Sequence, residues 1–412
     1  MHGFRFNEKY LSQIPALQQL INLGFEYITP EQALAQRGGQ LVNVLLEDTL
    51  REQLKRINRI RYKGREYQFS EENIQSAIRK IRNIPYQGLQ KTNEAVYDLL
   101  TLGVALEQTI EGDAKSFSLN YIDWKQPNNN RFQVTAEFPV LRRHSVETAR
   151  PDIVLFVNGI PLVVIECKAP DEKVEQAVSQ SIRNQGADYI PQLFIYAQLV
   201  MGINKTTALY STAGSDEEYW SAWQEREDRE DAVEAGINTP LTLEQKDRLF
   251  SGEFALARSF FDALESEKGR LVTEQDKSIY SLCRPGRLLD LSYRFVVFDN
   301  GVKKIARYQQ YFVVHSTMRR LRQRDHQGRR KGGMIWHTQG SGKSLSMVML
   351  VRALALDAGT DSLRIVLVTD RKDLDRQLGN TFVACGLSRE KATSGRNPVS
   401  YTHLTLPTKR IV

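Results

Sequence analysis

Two apolar runs, Ile153–Val157 and Leu162–Ile165, flank Asn158-Gly159, and charged residues stand at both outer ends. Each run is rich in Val, Ile, Leu and Phe and is bounded by turn or charged residues, so each is expected to be a strand. Asn-Gly between two such runs is a strong hairpin signal. Pro151-Asp152 opens the first strand and Glu166-Cys167-Lys168 closes the second. Side chains alternate along a strand, so Glu166 and Lys168 share a face while Cys167 points the other way, into the core. A two-residue turn at Asn158-Gly159 would pair Asp152 with Ile165 and put Asp152 and Glu166 on opposite faces. If the two carboxylates act together, the register must be odd. That requires either a three-residue loop Val157-Asn158-Gly159 with a left-handed Gly159, or a bulge nearby.

The residues Asp152, Glu166 and Lys168 resemble the P-D…(D/E)-x-K arrangement of a large nuclease superfamily. The chemistry accounts for the residue types. Two carboxylates can hold one or two Mg²⁺ ions against a scissile phosphate. A nearby lysine can orient or deprotonate the attacking water and offset developing charge. Helical signals resume over Val174–Tyr189, where Gln185 and Tyr189 are spaced i, i+4 and can face one site. They match the Q-x-x-x-Y element that accompanies this core in RecB-like and type I nucleases.

A second constellation lies at His337-Thr-Gln-Gly-Ser-Gly-Lys-Ser344, between an expected strand, Gly333–Trp336, and an expected helix, Gly342–Leu356. Strand–loop–helix is the context of a phosphate-binding loop. Gly340 and Gly342 let the backbone wrap closely around phosphate oxygens, with Ser341 between them. Their amides and the helix N-terminus supply partial positive charge. Lys343 would reach the β- and γ-phosphates of ATP, and the Ser344 hydroxyl would ligate Mg²⁺. His337 stands where the general pattern has Gly. Another strand, Ile365–Thr369, and a helix, Lys372–Phe382, complete a parallel α/β pattern. Ala306-Arg-Tyr-Gln-Gln310 resembles the adenine-reading Q motif of superfamily 2 helicases, with Gln309 at the matching position. Val368-Thr-Asp-Arg-Lys-Asp-Leu374 looks like motif Ia, in which Arg371 and Lys372 could touch DNA phosphates.

The remaining chain is read more coarsely. Residues 1–100 are mainly helical: Leu41–Ile57 has helical spacing, and Ser70 before Glu71-Glu72 is an N-cap signal. Residues 116–168 change to strand character, and Thr207–Ser211 is a further short strand. Trp220 and Trp223 are docking points in the polar stretch 219–269. The formal net charge of +7 permits a polyanionic partner. Between Gly301 and Ser344 there are eleven Lys/Arg and one acid, Asp325. Three dispersed cysteines, with no CxxC pair, argue against a zinc site or a disulfide framework. No apolar run is long enough to span a membrane, and the N-terminus lacks a secretory pattern, so a cytoplasmic location is expected.

Together these motifs resemble the N-terminal part of the R (restriction) subunit of type I restriction–modification enzymes, over residues from about 10 to about 395. Asn120-Tyr-Ile-Asp-Trp124, Ile190-Pro-Gln-Leu-Phe-Ile-Tyr196 and Phe295-Val-Val-Phe-Asp299 support the match. The resemblance implies an α/β fold: a PD-(D/E)xK nuclease core, a mixed sheet flanked by helices, followed by the first part of a RecA-like parallel motor domain. The expected divisions are 1–260, a junction at 261–293, the motor segment 294–398, and a non-native or disordered tail at 399–412. The implied cofactors are Mg²⁺ and ATP. The implied partners are double-stranded DNA and the methyltransferase (M) and specificity (S) subunits, with no membrane. Asp152, Glu166 and Lys168, supported by Gln185 and Tyr189, would be catalytic. Gln309 and the 340–344 loop would bind nucleotide. No Asp-Glu pair follows Lys343, so the motor half is expected to be incomplete and the chain part of a longer protein. The competing readings are a DNA- and ATP-binding fragment without full activity, and a type III-like helicase–nuclease. The nuclease-before-motor order argues against the latter.

Overall fold

The structure, a computed structural model, describes residues 8–225, 230–266, 269–338, 340–357, 365–369 and 372–387. The chain divides into two compact units, Met1–Leu289 and Asp290–Val412. The 399–412 tail and Arg371 lie outside the described residues.

Unit 1 is built on a six-stranded mixed sheet. Its spatial order is β1 (Glu26–Tyr27), β2 (Phe132–Ala136), β3 (Ile153–Val157), β4 (Ile160–Cys167), β5 (Leu199–Asn204) and β6 (Thr207–Ser211). β1–β2 and β4–β5 pair in parallel, and the other neighbours are antiparallel. Every residue of β3 and β4 is buried. Strands covered on both faces need apolar residues on both faces, hence the continuous apolar runs. Helix α1 (Ile14–Asn22), with Pro15 in its first turn, packs on β2; α2 (Val174–Asn184) lies on β4 and β5. Gly202 of β5 permits the close approach of α2, since a Cβ there would stand 3.1 Å from Ala177 Cβ. Helix α3 (Glu274–Cys283) packs on α1 and β6, so unit 1 runs past residue 260.

The helices at residues 1–100 form for local reasons. Ser70 Oγ accepts the Asn73 amide at 3.2 Å, Glu71 and Glu72 occupy the first turn, and Arg79, Lys80 and Arg82 occupy the last. These charges complement the helix dipole. The helix expected from residue 41 begins only at Glu47. Asn43 Oδ1 accepts the Leu45 amide, and the Leu46 amide donates to Gly159 O at 2.9 Å, which holds this segment out of the helix. Among the described residues, no helix is long and apolar enough to cross a membrane.

Unit 2 contains the hairpin β7 (Val296–Asp299) and β8 (Val302–Ile305), turned by Asn300-Gly301 with both φ values positive. Among the described residues three helices follow: α4 (Tyr308–Arg322), α5 (Lys343–Ala355) and α6 (Lys372–Ala384). Phe295, Val296, Val297, Val348, Met349 and Ala353 are buried in this unit. The strands expected at Gly333–Trp336 and Ile365–Thr369 are not formed. They have no ladder partners among the described residues, and an apolar strand is stable only when its backbone groups are paired. Met334, Trp336 and Val368 are accordingly 90%, 87% and 88% exposed. Val366 and Leu367 are exposed as well.

Candidate active site

The hairpin β3–β4 solves its register problem with a bulge. Val157 pairs with Ile160 across a two-residue Asn158-Gly159 turn, but the pairing shifts between Pro161 and Val163. Beyond the shift Ile165 pairs with Ile153, which brings Glu166 opposite Asp152. Of the two alternatives, the bulge is the one used, and the three-residue loop is not. The turn itself is closely specified. Asn158 has φ 52° and Gly159 φ 80°. Asn158 Oδ1 accepts the Arg131 amide, and Nδ2 donates to Tyr121 O and Asn130 Oδ1. A Cβ on Gly159 would stand 2.4 Å from Leu46 O.

Asp152 Oδ2 accepts the Cys167 amide at 2.6 Å. Burial pushes the Asp152 carboxyl up to about 7; the Cys167 amide and Lys168 oppose that rise, and Glu8 adds to it. Glu166 is fully buried. Burial raises its pKa well above the ordinary range, and the neighbouring Asp152 charge raises it further. Each Glu166 oxygen still accepts one amide: Gln180 Nε2 at 2.8 Å and Asn184 Nδ2 at 2.9 Å. Lys168 follows β4, where its amide donates to Ile203 O at 2.8 Å. Its Nζ donates to Cys167 O at 2.7 Å and lies 3.5 Å from Glu8 Oε2. Burial raises the Glu8 carboxyl, against the pull of Lys168. Cys167 is buried, and that burial pushes its thiol up.

The structure thus brings together Asp152, Glu166 and Lys168, and adds Glu8, Gln180 and Asn184. It does not bring Gln185 and Tyr189 to this cluster through any hydrogen bond. Helix α2 ends at Asn184, so the i, i+4 geometry expected for 185 and 189 is lost. Gln185 Nε2 donates to Ser181 O at 3.1 Å, and its Oε1 accepts the Gly214 amide at 2.7 Å. The Tyr189 ring carries Arg142 and Arg183 instead. The i, i+4 signal that identifies the amides is Gln180-x-x-x-Asn184, five residues earlier. Glu8 has no sequence signal; it stands at the start of the π-helical turn Lys9–Gln13. Among the described residues, no group of three or more His, Cys, Asp or Glu side chains is gathered for a metal ion. The donors available are two facing carboxylates.

The second constellation takes its shape from glycine torsions. Gly340 and Gly342 have φ 79° and 76°, and Gly342 caps α5, placing exposed Lys343 and half-buried Ser344 in its first turn. Ser341 Oγ donates to Thr338 O at 2.7 Å and lies 3.2 Å from His337 Nδ1, which gives the unexpected histidine a loop-closing contact. Gln310, rather than Gln309, reaches the loop: its Nε2 donates to Gly342 O at 3.2 Å, and its Oε1 accepts the Arg307 amide.

Residues 5–219, more than half of the chain, match the family model for the type I restriction enzyme R protein N terminus. The chain belongs to this family. Residues 309–406 of the chain match the SWI2/SNF2 ATPase model. The chain is 30% identical over 389 residues to the type I restriction enzyme HindI endonuclease subunit of Haemophilus influenzae, covering 91% of this chain and 32% of that protein. Similarity to the MjaIXP endonuclease subunit of Methanocaldococcus jannaschii is 26% over 402 residues, 95% of this chain and 35% of that protein. A third relative, the type I restriction enzyme SauCOLORF180P endonuclease subunit of Staphylococcus aureus, is 25% identical over 272 residues, 66% of this chain and 24% of its own. The chain spans about a third of the length of the first two relatives.

Proposed function

We propose that unit 1 is a Mg²⁺-dependent DNA endonuclease domain with a PD-(D/E)xK core, and that residues 340–344 of unit 2 bind the phosphates of ATP at the start of a RecA-like motor. The complete protein would be the R subunit of a type I restriction enzyme. It would couple ATP-driven translocation of double-stranded DNA to cleavage, in a complex with M and S subunits. The observation that carries the nuclease reading is the bulge between Pro161 and Val163, which sets Asp152 opposite Glu166. The one-residue slip chooses which side chains of β3 and β4 share a face.

The donor set suits a hard divalent cation. Burial raises the proton affinity of both carboxylates, the Asp152 charge raises that of Glu166 further, and the lysine beside them is engaged with Cys167 O and Glu8. Asp152 and Glu166 would hold Mg²⁺, which uses one or two carboxylates and retains waters. When bound, the ion would polarise the phosphoryl oxygens and lower the pKa of water. The protein's own groups do the rest. Gln180 and Asn184 fix both Glu166 oxygens, the Cys167 amide fixes Asp152, and Lys168 would orient the attacking water and offset phosphorane charge. In unit 2, the Gly340 and Gly342 torsions, the α5 N-terminus and exposed Lys343 support phosphate binding, with Ser344 placed to join a Mg²⁺ shell.

The test is Mg²⁺-dependent nicking of supercoiled DNA by the full chain. Lys168→Ala is expected to lower the rate by about 10²–10³-fold, the scale for removing one preorganised stabilising group. Gln180→Ala is expected to lower it by about tenfold, because one Glu166 oxygen loses its partner. Equal nicking by wild type and Lys168→Ala would defeat the assignment.

A further inference from the structure

Between β2 and β3 the chain makes a small hairpin, Val140–Leu141 paired with Thr148–Ala149, and its turn carries Arg142, Arg143 and His144. The hairpin is pinned to the segment after α2. The Arg143 amide donates to Tyr189 O at 2.8 Å, and Gln192 Nε2 donates to Leu141 O at 2.6 Å. This docking gathers three guanidinium groups on two tyrosine rings. Arg142 lies 4.4 Å and Arg183 5.8 Å from the Tyr189 centroid, and Arg143 lies 4.3 Å from that of Tyr86.

The charges of this group are poorly balanced. Arg142 pairs with the exposed Glu147, yet its Nε is enclosed without a hydrogen-bond partner. Arg143 and Arg183 make no ion pair among the described residues, and Arg183 is exposed. A guanidinium stacked on an aromatic face keeps its N–H edge free and loses little entropy on binding, so it suits planar, bidentate recognition of phosphate. Two like charges on one ring are also costly, and Glu147 relieves only that of Arg142.

Position decides which anion. Arg183 is the immediate neighbour of Asn184, which holds Glu166 at 2.9 Å. On the other side, the hairpin's exit at Ala149 precedes Asp152 by only Arg150 and Pro151. Along the chain the cluster is thus one residue from the amide that holds Glu166 and, through the hairpin, three residues from Asp152. Carboxylates that must approach a polyanion need cations beside them to hold it there. We infer that Arg143 and Arg183, shelved on Tyr86 and Tyr189, clamp backbone phosphates of duplex DNA flanking the scissile one. This rests on the nuclease reading of Asp152, Glu166 and Lys168.

Binding of the full chain to a duplex of about 30 bp, without metal or ATP, tests it by fluorescence anisotropy between about 50 and 200 mM salt. The double variant R143A/R183A is expected to bind about ten- to a hundredfold more weakly, with a log–log salt slope shallower by about 2. Glu147→Gln releases Arg142 from its carboxylate and should tighten binding about two- to threefold. That gain keeps the test decisive even if the double variant fails to fold. Wild-type affinity and slope in a folded double variant, or no tightening in Glu147→Gln, would overturn the clamp. The same outcome with an acidic peptide competing at low concentration would assign the cluster to a protein partner instead and overturn it equally. Asp152→Asn separates the two claims, since it should abolish nicking while leaving binding in place. If wild type does not nick yet binding depends on both arginines, the nuclease reading fails and the clamp stands.

Discussion

The β3–β4 hairpin of unit 1 and the 337–344 loop of unit 2 are both short motifs recognised by residue type, yet the structure supports them very differently. Around the hairpin every strand residue is buried, and each Glu166 oxygen has a partner. Around the loop the glycine torsions and the helix that follows are in place, but the flanking apolar segments form no strand. The difference separates two kinds of local order. Left-handed glycines and a helix N-terminus need only a few neighbouring residues. A parallel strand needs a partner strand, and no sequence signal within the strand provides one.

Amide hydrogen exchange should show this contrast at its largest. Amides of β3 and β4 are expected to exchange about four or more orders of magnitude more slowly than those of residues 333–338 and 365–369, because core strands open only with the unit as a whole. Comparable protection in both regions would show that the unit 2 segments have ladder partners, and the comparison would break.

Glycine substitutions sharpen the same contrast in energy. In Gly159→Ala the new Cβ meets backbone, Leu46 O at 2.4 Å, at φ 80°. The left-handed strain and a clash that cannot be relieved by a rotamer change together should cost about 3–4 kcal/mol. In Gly342→Ala the Cβ meets only the end of the Gln310 side chain, Nε2 at 2.6 Å, which can swing away. Backbone strain then dominates, at about 1–2 kcal/mol. Native-state exchange in increasing urea resolves the two units separately. Equal losses would mean that the hairpin turn is no more constrained than the phosphate loop.

How much of this was legible follows from the same physics. Asp152, Glu166 and Lys168 can be found from sequence because their chemistry dictates residue type and alternation dictates their face. The need for an odd register was also legible, but its location at Leu162 was not, since nothing in Ile160-Pro-Leu-Val163 distinguishes a bulge from a regular pair. Gln185 and Tyr189 mislead because the end of α2 cannot be read in Asn184-Gln185-Gly186, and because position 185 is already turned by about 100° from Asn184, off the face that meets Glu166. Gln180 and Asn184 carry the same four-residue spacing. Gln310 differs from Gln309 only by a rotation of about 100° on α4. Glu8 reaches Lys168 from 160 positions away, which no local pattern encodes.

The smallest expected effect is a difference in sign. Burial lifts Asp152 from 3.8 to about 7, so between those values the folded form binds more protons than the unfolded one. Stability of unit 1 from this group is therefore full at low pH and falls as pH rises through that window. Asp290 in unit 2 goes the other way. Burial opposes its charge, but the His315 contact, Arg294 and the Tyr311 hydroxyl outweigh burial and hold its carboxyl below 3.8. Its contribution is present above the ordinary carboxylate range and is lost as pH falls through the depressed value. Exchange protection of β3–β4 should thus weaken from pH 4 toward pH 7 and flatten in Asp152→Asn. Protection of α4 should weaken only on the acid side, and Asp290→Asn should lower it at neutral pH. If both units lost protection in the same direction, the carboxylates of β3–β4 would not be held against their charge, and the case for a cation between them would lose its electrostatic basis.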